Sequence, residues 1–495
     1  MSTTAEKAVD IATGMPEPWP RVRLGDICEI VRGVSYKKEQ ASEQPAKGKV
    51  PILRATNIQN SVLILDSDLI YVPVSVVSEE QMLRAGDIVV ATSSGSKHLV
   101  GKTAQVKESW AGSFGAFCAA LRPIVQIDHR YLGYFFASKE YKDYITKRAL
   151  GVNINNLRRG DLEEILVPVA PLDQQKRIVA EIEKQFSRLD EAVANLKRVK
   201  ANLKRYKAAV LKAAIEGRLV ETEAELARRE GRGYETGAQL LQRTLETRRS
   251  QWKGKGKYKE PAAPDTTDLP ELPEGWVWAS AVQACDPVVD CHNKTAPYTD
   301  SGIPLVRTTN IRDGRLFLEE VRYVDQPTYD FWSRRCPPEP GDVLFTREAP
   351  MGEAAIIPPE TKLCMGQRMM LMRPSSVVSA AFLLYSLLSP VIRRLIERAS
   401  VGTGVKHLRV GDVELLPVPI PPIAEQYRIV PEMDRRLTLV REVEAQVDVN
   451  LKRTERLRQT VLTAAFSGAF NGDVSKHIRD TADGVTSRGS ATVKI

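Results

Sequence analysis

The chain repeats itself about 250 residues apart, and that repeat constrains its fold more than any other feature. Laid without a gap on residues 408–468, residues 157–217 are identical at 21 of 61 positions. The identities include Leu157/Leu408, Gly160/Gly411, Asp161/Asp412, Gln175/Gln426, Arg177-Ile178-Val179/Arg428-Ile429-Val430 and Ala213-Ala214/Ala464-Ala465. Upstream the match survives in patches: PILRATNI (51–58) against PLVRTTNI (304–311), Gly86-Asp87 against Gly341-Asp342, and Arg122-Pro123 against Arg373-Pro374. Between the patches the residues diverge freely. A scaffold kept in duplicate while the rest varies implies two versions of one recognition module held in a fixed mutual geometry.

At 495 residues the chain exceeds a single core, so two or more domains are expected. Its 43% hydrophobic and 27% charged residues describe a globular protein. No run approaches the roughly 20 apolar residues of a membrane helix, and the start MSTTAEKAVDIATGMPEP has no apolar secretory core. A cytoplasmic protein is expected. The six cysteines, at 28, 118, 285, 291, 336 and 364, show neither CxxC pairs nor zinc-finger spacing, which argues against a disulfide framework. Cys285, Cys291 and His292 form the one cluster; buried free thiols are expected there and no metal, since a structural zinc needs four spaced ligands. The net charge of +9 points to an anionic partner.

Residues 1–15 and 471–495 are polar and aperiodic and read as mobile ends. From 16 to 172, short apolar stretches broken by Gly, Pro and Asn predict a mixed α/β domain with one helix over YLGYFFASKEYKDYITKRA. Residues 271–422 repeat this pattern, with AAFLLYSLLSPVIRRLIERA as the matching helix. After Pro171 the period changes: Leu189, Ala192, Leu196, Val199, Leu203, Tyr206 and Val210 fall at alternating spacings of three and four, the seam of a coiled coil. A helix over 173–219 would run on the order of 65 Å. The second copy, over 423–470, places Val440, Val443, Val447, Asn450, Thr454, Leu457, Val461 and Ala464 at corresponding positions, with Asn450 as a buried polar residue fixing register. Two such seams are most economically buried against each other. The expected architecture is therefore two pseudo-twofold-related α/β domains joined by long helices that pair as an antiparallel coiled coil. Residues 220–270, with the helical stretch GAQLLQRTLETRRSQW, the basic KGKGKYK and the Pro-rich PAAPDTTDLPELP, read as a connector.

No catalytic motif is apparent. An amino-methyltransferase needs an (N/D)PP(Y/F) loop and a glycine-rich cofactor loop, a common metal-dependent nuclease needs PD followed by ExK, and neither arrangement is present. GxxxxGK[ST] and GxSxG are also missing. The candidate chemistry is binding. Arg54, Thr56 and Asn57 are mirrored by Arg307, Thr309 and Asn310; Arg can bond guanine O6 and N7, and Asn adenine N6 and N7. A structural turn, with Asn bonding the backbone, is the open alternative for this motif. Identity in both copies argues for positioning and divergence for specificity. ATSSGSKHLVGKT (91–103) opposes FTREAPMGEAA (345–355), and GVNINNLRR (151–159) opposes GTGVKHLRV (402–410). Candidate base readers are then Ser94, Lys97, Asn153 and Asn155 in the first domain, and Arg347, Glu348, Lys406 and His407 in the second. Lys102, Arg158, Arg159 and Arg409 are candidate phosphate contacts. Seven Lys or Arg and no acid lie between Glu191 and Glu216. That run and RRSQWKGKGKYK could follow a DNA backbone or face an acidic protein.

The helix-leading motifs LVPVAPLDQQKRIV and LPVPIPPIAEQYRIV, the helix ends AAVLKAAIEGRLV and TVLTAAFSGAF, and then QWKGKGKYKEP and LPELPEGWVWAS resemble the specificity subunit of type I restriction-modification systems. The likeness covers residues 16–470. It implies a non-catalytic subunit whose two recognition domains each read half of a split, asymmetric double-stranded DNA sequence. It also implies partners: two methylation subunits supplying S-adenosylmethionine and adenine methylation, and restriction subunits supplying ATP-driven, Mg-dependent translocation and cleavage. No cofactor is expected on this chain. Two other readings stay open from sequence, a stand-alone two-domain DNA-binding protein and a coiled-coil protein scaffold.

Overall fold

A computed structural model describes residues 19–94, 99–149, 156–254 and 256–467. Both ends read as mobile, 1–15 and 471–495, lie outside the described residues. By internal contacts the chain divides into two compact units, Met1–Lys197 with Asp448–Ile495, and Arg198–Val447. The boundaries differ from the division read from sequence: they cut both long helices, so each unit contains part of each helix.

In the first unit a four-stranded antiparallel sheet is built from β1 (Cys28–Arg32), β2 (Ile88–Ala91), β3 (Thr103–Gln105) and β4 (Cys118–Pro123) in the order β1-β4-β2-β3. Both faces are buried, as the period-two alternation of a strand requires. Cys28, Ile30, Ile88, Val90, Ala119 and Leu121 face one core, which is shared with helices. Val31, Val89, Ala91, Cys118 and Ala120 face another, beneath the loop-rich half.

The expected helix over 131–149 is two helices, α1 (His129–Ala137) and α2 (Lys139–Ala149). Ser138 breaks it: the residue adopts ψ 162° and its N–H donates to Phe135 O at 3.0 Å. Then comes α3 (Leu172–Ile215), 44 residues long. Its first turns pack on domain 1, where Ile178, Val179 and Ile182 share a core with Leu132 and Phe135.

The connector is more structured than its composition suggested. It holds α4 (Glu223–Glu230), which sequence reading missed despite the Thr222/Glu225 capping box, and α5 (Gly237–Ser250). Leu240 and Leu241 of α5 lie in the main core of the second unit, so this segment belongs to a domain rather than to a linker.

The second unit repeats the first. Strands β5 (Cys285–Asp290), β6 (Val343–Thr346), β7 (Ala354–Ile356) and β8 (Met369–Pro374) form an antiparallel sheet in the order β5-β8-β6-β7, the topology of domain 1. The second expected helix is again two, α6 (Ala380–Leu388) and α7 (Pro390–Ala399), because Pro390 has no N–H to donate and Ser389 caps the new turn through Ile392 N–H. The chain closes on α8 (Ile423–Phe466), also 44 residues.

The patches matched in sequence are contacts in space. Asp87 and Arg122 form a buried bidentate pair, Nε to Oδ1 at 3.0 Å and Nη2 to Oδ2 at 2.7 Å. Asp342 and Arg373 repeat it at 2.8 and 2.9 Å. Gln175 accepts the N–H of Asp128, the cap of α1, at 2.8 Å and donates to Ala170 O at 2.7 Å. Its double, Gln426, accepts the N–H of Ser379, the cap of α6, at 2.9 Å and donates to Val377 O and Pro421 O at 2.7 and 3.2 Å. One glutamine per repeat thus ties a long helix to its own recognition domain.

Within the first unit α3 meets α8 antiparallel: Val461, Leu462 and Phe466 join the core of Ile178 and Ile182, and Arg458 pairs with Asp190. Within the second, Val210, Leu211, Ala214 and Ile215 share a core with Ile429, Met433 and Leu437. The seam itself differs from expectation. On α8, Val440, Val447, Thr454 and Val461 are buried, one residue in seven, while Val443 is exposed and Asn450 and Leu457 are half-buried. Asn450 is therefore not the buried polar residue expected. On α3 the half-buried line runs through Leu189, Val193, Leu196, Leu203 and Lys207 to buried Val210, leaving Val199 and Tyr206 exposed and Ala192 outside it. Burial on α8 thus extends beyond the domain cores, since Val440, Val447 and Thr454 are buried without belonging to either.

All six cysteines are free and buried. Burial pushes the thiols of Cys28, Cys118, Cys285 and Cys364 up to about 12. At pH 8 they are neutral, and the thiolate is the nucleophile. Native protein treated with iodoacetamide at pH 8 should keep its six thiols by intact-mass measurement and lose them in denaturant; rapid native labelling would contradict the burial.

Candidate nucleic-acid interface

Main-chain bonds align the two domains residue by residue at one edge of the sheet. In domain 1, Thr92 N–H donates to Phe117 O at 2.9 Å and Leu157 N–H to Thr92 O at 2.7 Å. In domain 2, Arg347 N–H donates to Arg368 O at 2.9 Å and Leu408 N–H to Arg347 O at 3.0 Å. Isolated antiparallel bridges join Ser93 to Asn156 and Glu348 to His407. Thr92, Ser93, Phe117 and Asn156 therefore occupy the places of Arg347, Glu348, Arg368 and His407. Likewise Arg32, opposite Ala119, matches Asp290, opposite Met370. In each domain three loops meet here: one leaving the second strand, one leading into the fourth, and the stretch before Leu157 or Leu408.

The two edges differ in chemistry. In domain 1 the loops flank a cavity of about 490 Å³, whose lining includes Tyr36, Arg54, Thr56, Ser93, Ser94 and Phe117. Phe117 is 68% exposed. In domain 2 the corresponding residues form ion pairs: Arg347 Nη2 to Asp290 Oδ1 at 3.0 Å and Arg368 Nε to Glu348 Oε2 at 3.1 Å.

These contacts sort the sequence candidates. Asn57 is 1% exposed; its Oδ1 accepts Arg54 N–H at 2.9 Å and its Nδ2 donates to Ile64 O and Ser67 O at 3.0 and 2.8 Å. Asn310 is likewise buried, accepting Arg307 N–H at 3.0 Å. Neither amide can reach a base, because each closes a one-turn helix of its own backbone. Arg54 pairs with Asp68, which also accepts from Thr56 Oγ1 at 2.6 Å, so this motif braces a loop. Arg307 is half-buried and Thr309 exposed. Arg347 is a further correction: Nη1 donates to Leu408 O at 3.0 Å and Nη2 holds Asp290, so its donors face inward.

Ser94 and Lys102 are half-buried; Arg158, Arg159, Lys406 and Arg409 are exposed, with Arg159 held by Glu163 at 2.7 Å. Glu348 and His407 sit at the loop edge, paired as above. Lys97, Asn153 and Asn155 lie outside the described residues. Of the charge runs, α3 exposes Lys197, Arg198, Lys204, Arg205 and Lys212, while Lys207 reaches Asp313 at 3.2 Å. In the connector Trp252 stacks edge-on to Tyr258 with centroids 5.6 Å apart. Sequence reasoning missed Phe117, Tyr36 and Arg368. The signal was available for two of them, since Phe117 and Arg368 share the 251-residue offset of the gap-free repeat and differ completely in chemistry.

Among the described residues no group of three His, Cys, Asp or Glu could hold a metal ion, and no helix is long and apolar enough to cross a membrane.

Two sheets of one topology, identical residues in the supports and different residues at the loop edges define a duplicated protein whose two copies share a scaffold and differ at their loops. The family model for the type I restriction modification DNA specificity domain matches residues 16–205 and 311–448, and the chain belongs to that family as a specificity subunit with two recognition domains. It is similar to the type I restriction enzyme EcoKI specificity subunit of Escherichia coli K12, 28% identical over 492 residues, spanning 97% of this chain and 95% of that one. The type I restriction enzyme StySPI specificity subunit of Salmonella potsdam is 38% identical over 205 residues, 41% of this chain and 44% of the relative. A chain from a structural study of complex assembly and conformational transition of the type I R-M system matches with a TM-score of 0.60 at 19% identity, covering 92% of this chain and 100% of that one, a likeness of fold.

Proposed function

We propose that each recognition domain reads one half of a bipartite, asymmetric duplex DNA site, and that the chain carries out no chemistry itself. Two methylation subunits would dock on it, holding S-adenosylmethionine and modifying adenine, and restriction subunits would add ATP- and Mg-dependent translocation and cleavage. The observation that carries this reading is the division of labour inside the repeat. Residues identical in both copies, Asp87/Asp342, Arg122/Arg373, Gln175/Gln426 and Asn57/Asn310, are engaged in internal bonds. Residues that differ, Ser93/Glu348, Phe117/Arg368 and Asn156/His407, edge the loops. The missing methylase, nuclease and nucleotide-loop sequences support the assignment of catalysis to partners, and a cytoplasmic setting follows from work on host DNA.

Co-expression with a methylase from the neighbouring reading frame, followed by methylation-sensitive sequencing of host DNA, tests this. A split methylated motif that disappears when this chain is deleted supports it. Absence of both complex and methylation would contradict it.

The long helices supply a second test. Four residues inserted in α3 add roughly 6 Å along its axis, about two base pairs at 3.4 Å each. Leu211 is buried in a domain core, so the insertion belongs in the exposed stretch near Lys200 and Ala201. The expected motif keeps both half-sites and gains spacer; altered half-sites with the old spacer would contradict a ruler.

A further inference from the structure

At the loop edge the position held by Phe117 in domain 1 and Arg368 in domain 2 pairs an exposed hydrophobe with an exposed cation, each carbonyl accepting the equivalent N–H, from Thr92 and from Arg347. Two arginines stand on the domain 2 edge, and their hydrogen bonds separate them. Arg347 uses both terminal nitrogens internally, on Asp290 and on Leu408 O. Arg368 forms an ion pair, Nε 3.1 Å from Glu348 Oε2, with its side chain 49% exposed. A guanidinium paired on its Nε leaves its two terminal nitrogens for a ligand, the fork that matches guanine O6 and N7 in the major groove.

The backbone agrees with this placement. Arg368 has φ +68°, a left-handed conformation that ordinary side chains rarely adopt. A strained residue at a loop tip, braced by an acidic neighbour, is held for what its side chain does. In domain 1 the same place gives Phe117, which has no hydrogen-bonding group and stands at a cavity edge beside Ser93 and Ser94. An aromatic ring in a groove discriminates through the thymine methyl group.

We propose that this one position selects a base pair in each half-site, Arg368 demanding guanine in the half read by domain 2 and Phe117 demanding an A·T pair in the half read by domain 1. Glu348 is a positioning residue that aims the guanidinium. The proposal rests on the two-domain reading above and names the residues by which it discriminates.

The test uses the assembled methylating complex and maps methylated motifs for wild type, Arg368→Gly, Arg368→Lys and Phe117→Ala. Glycine adopts a positive φ without strain, so Arg368→Gly removes the side chain without threatening the fold. Arg368→Gly should relax a guanine at one position of one half-site, with discrimination falling about 10- to 100-fold and the other half unchanged. Arg368→Lys should relax the same position, because an ammonium lacks the bidentate fork. Phe117→Ala should relax one A·T position in the opposite half. Unchanged preference in Arg368→Gly overturns the proposal. So does wild-type selectivity in Arg368→Lys, which would show that the bidentate fork is not what selects the base, or relaxation of the same half by both sets of variants. A wild-type complex that yields no split motif would instead overturn the underlying two-domain reading.

Discussion

Asp87→Ala should destabilise domain 1 by about 3–5 kcal/mol, the usual result of removing one partner from a buried ion pair. The Arg122 side chain is 9% exposed, and its guanidinium would lose both carboxylate bonds while staying buried. It would keep only Glu80 O and Met82 O, each at 2.9 Å. Arg84 N–H, which donates to Asp87 Oδ2 at 2.9 Å, would also lose its acceptor. The equivalent Asp342→Ala should cost less, because the Arg373 side chain is 27% exposed and can turn to water. Denaturant unfolding of the two variants reads the difference. Equal losses would contradict the argument from exposure, and no loss at Asp87 would mean the pair does not hold the domain.

Gln426→Ala should cost about 3–4 kcal/mol, combining a cavity with buried groups left unpaired at about 1–3 kcal/mol each. The amide is fully buried and satisfies Ser379 N–H, Val377 O and Pro421 O. Gln175→Ala should cost less, since that amide makes two such bonds, to Asp128 N–H and Ala170 O. Both variants loosen a long helix from its recognition domain, so hydrogen exchange at the start of α8 or α3 should rise before global unfolding. A uniform rise across the whole unit would contradict a local tether.

Much of the scaffold was legible because the repeat reports it. Gly86-Asp87 and Arg122-Pro123 matched their doubles as separate patches, and the structure shows why both were kept: they touch each other. The rule that identity marks positioning placed Asn57 and Asn310 under suspicion as base readers, and their amides are bonded inside their own turns. The helix break at Ser138 was hidden because the apolar period continues across it, while Pro390 after Ser389 was a signal the reading of the second helix passed over. The seam was misplaced at Val199 and Tyr206 because apolar spacing does not reveal which flank a domain backs. Arg347 and Arg368 show the limit most clearly. In sequence they are two arginines near variable loops; only the contacts show that Arg347 is turned inward while Arg368 is half exposed.

The most direct measurement is a domain exchange. Residues 16–172 are replaced by the corresponding segment of a related specificity subunit of known target, and host DNA is mapped for methylated adenine in the assembled complex. Two independent reading domains on one scaffold predict a hybrid motif, with one half-site taken from the donor and the other half and the spacer retained. A motif changed in both halves, or left unchanged, would contradict the account.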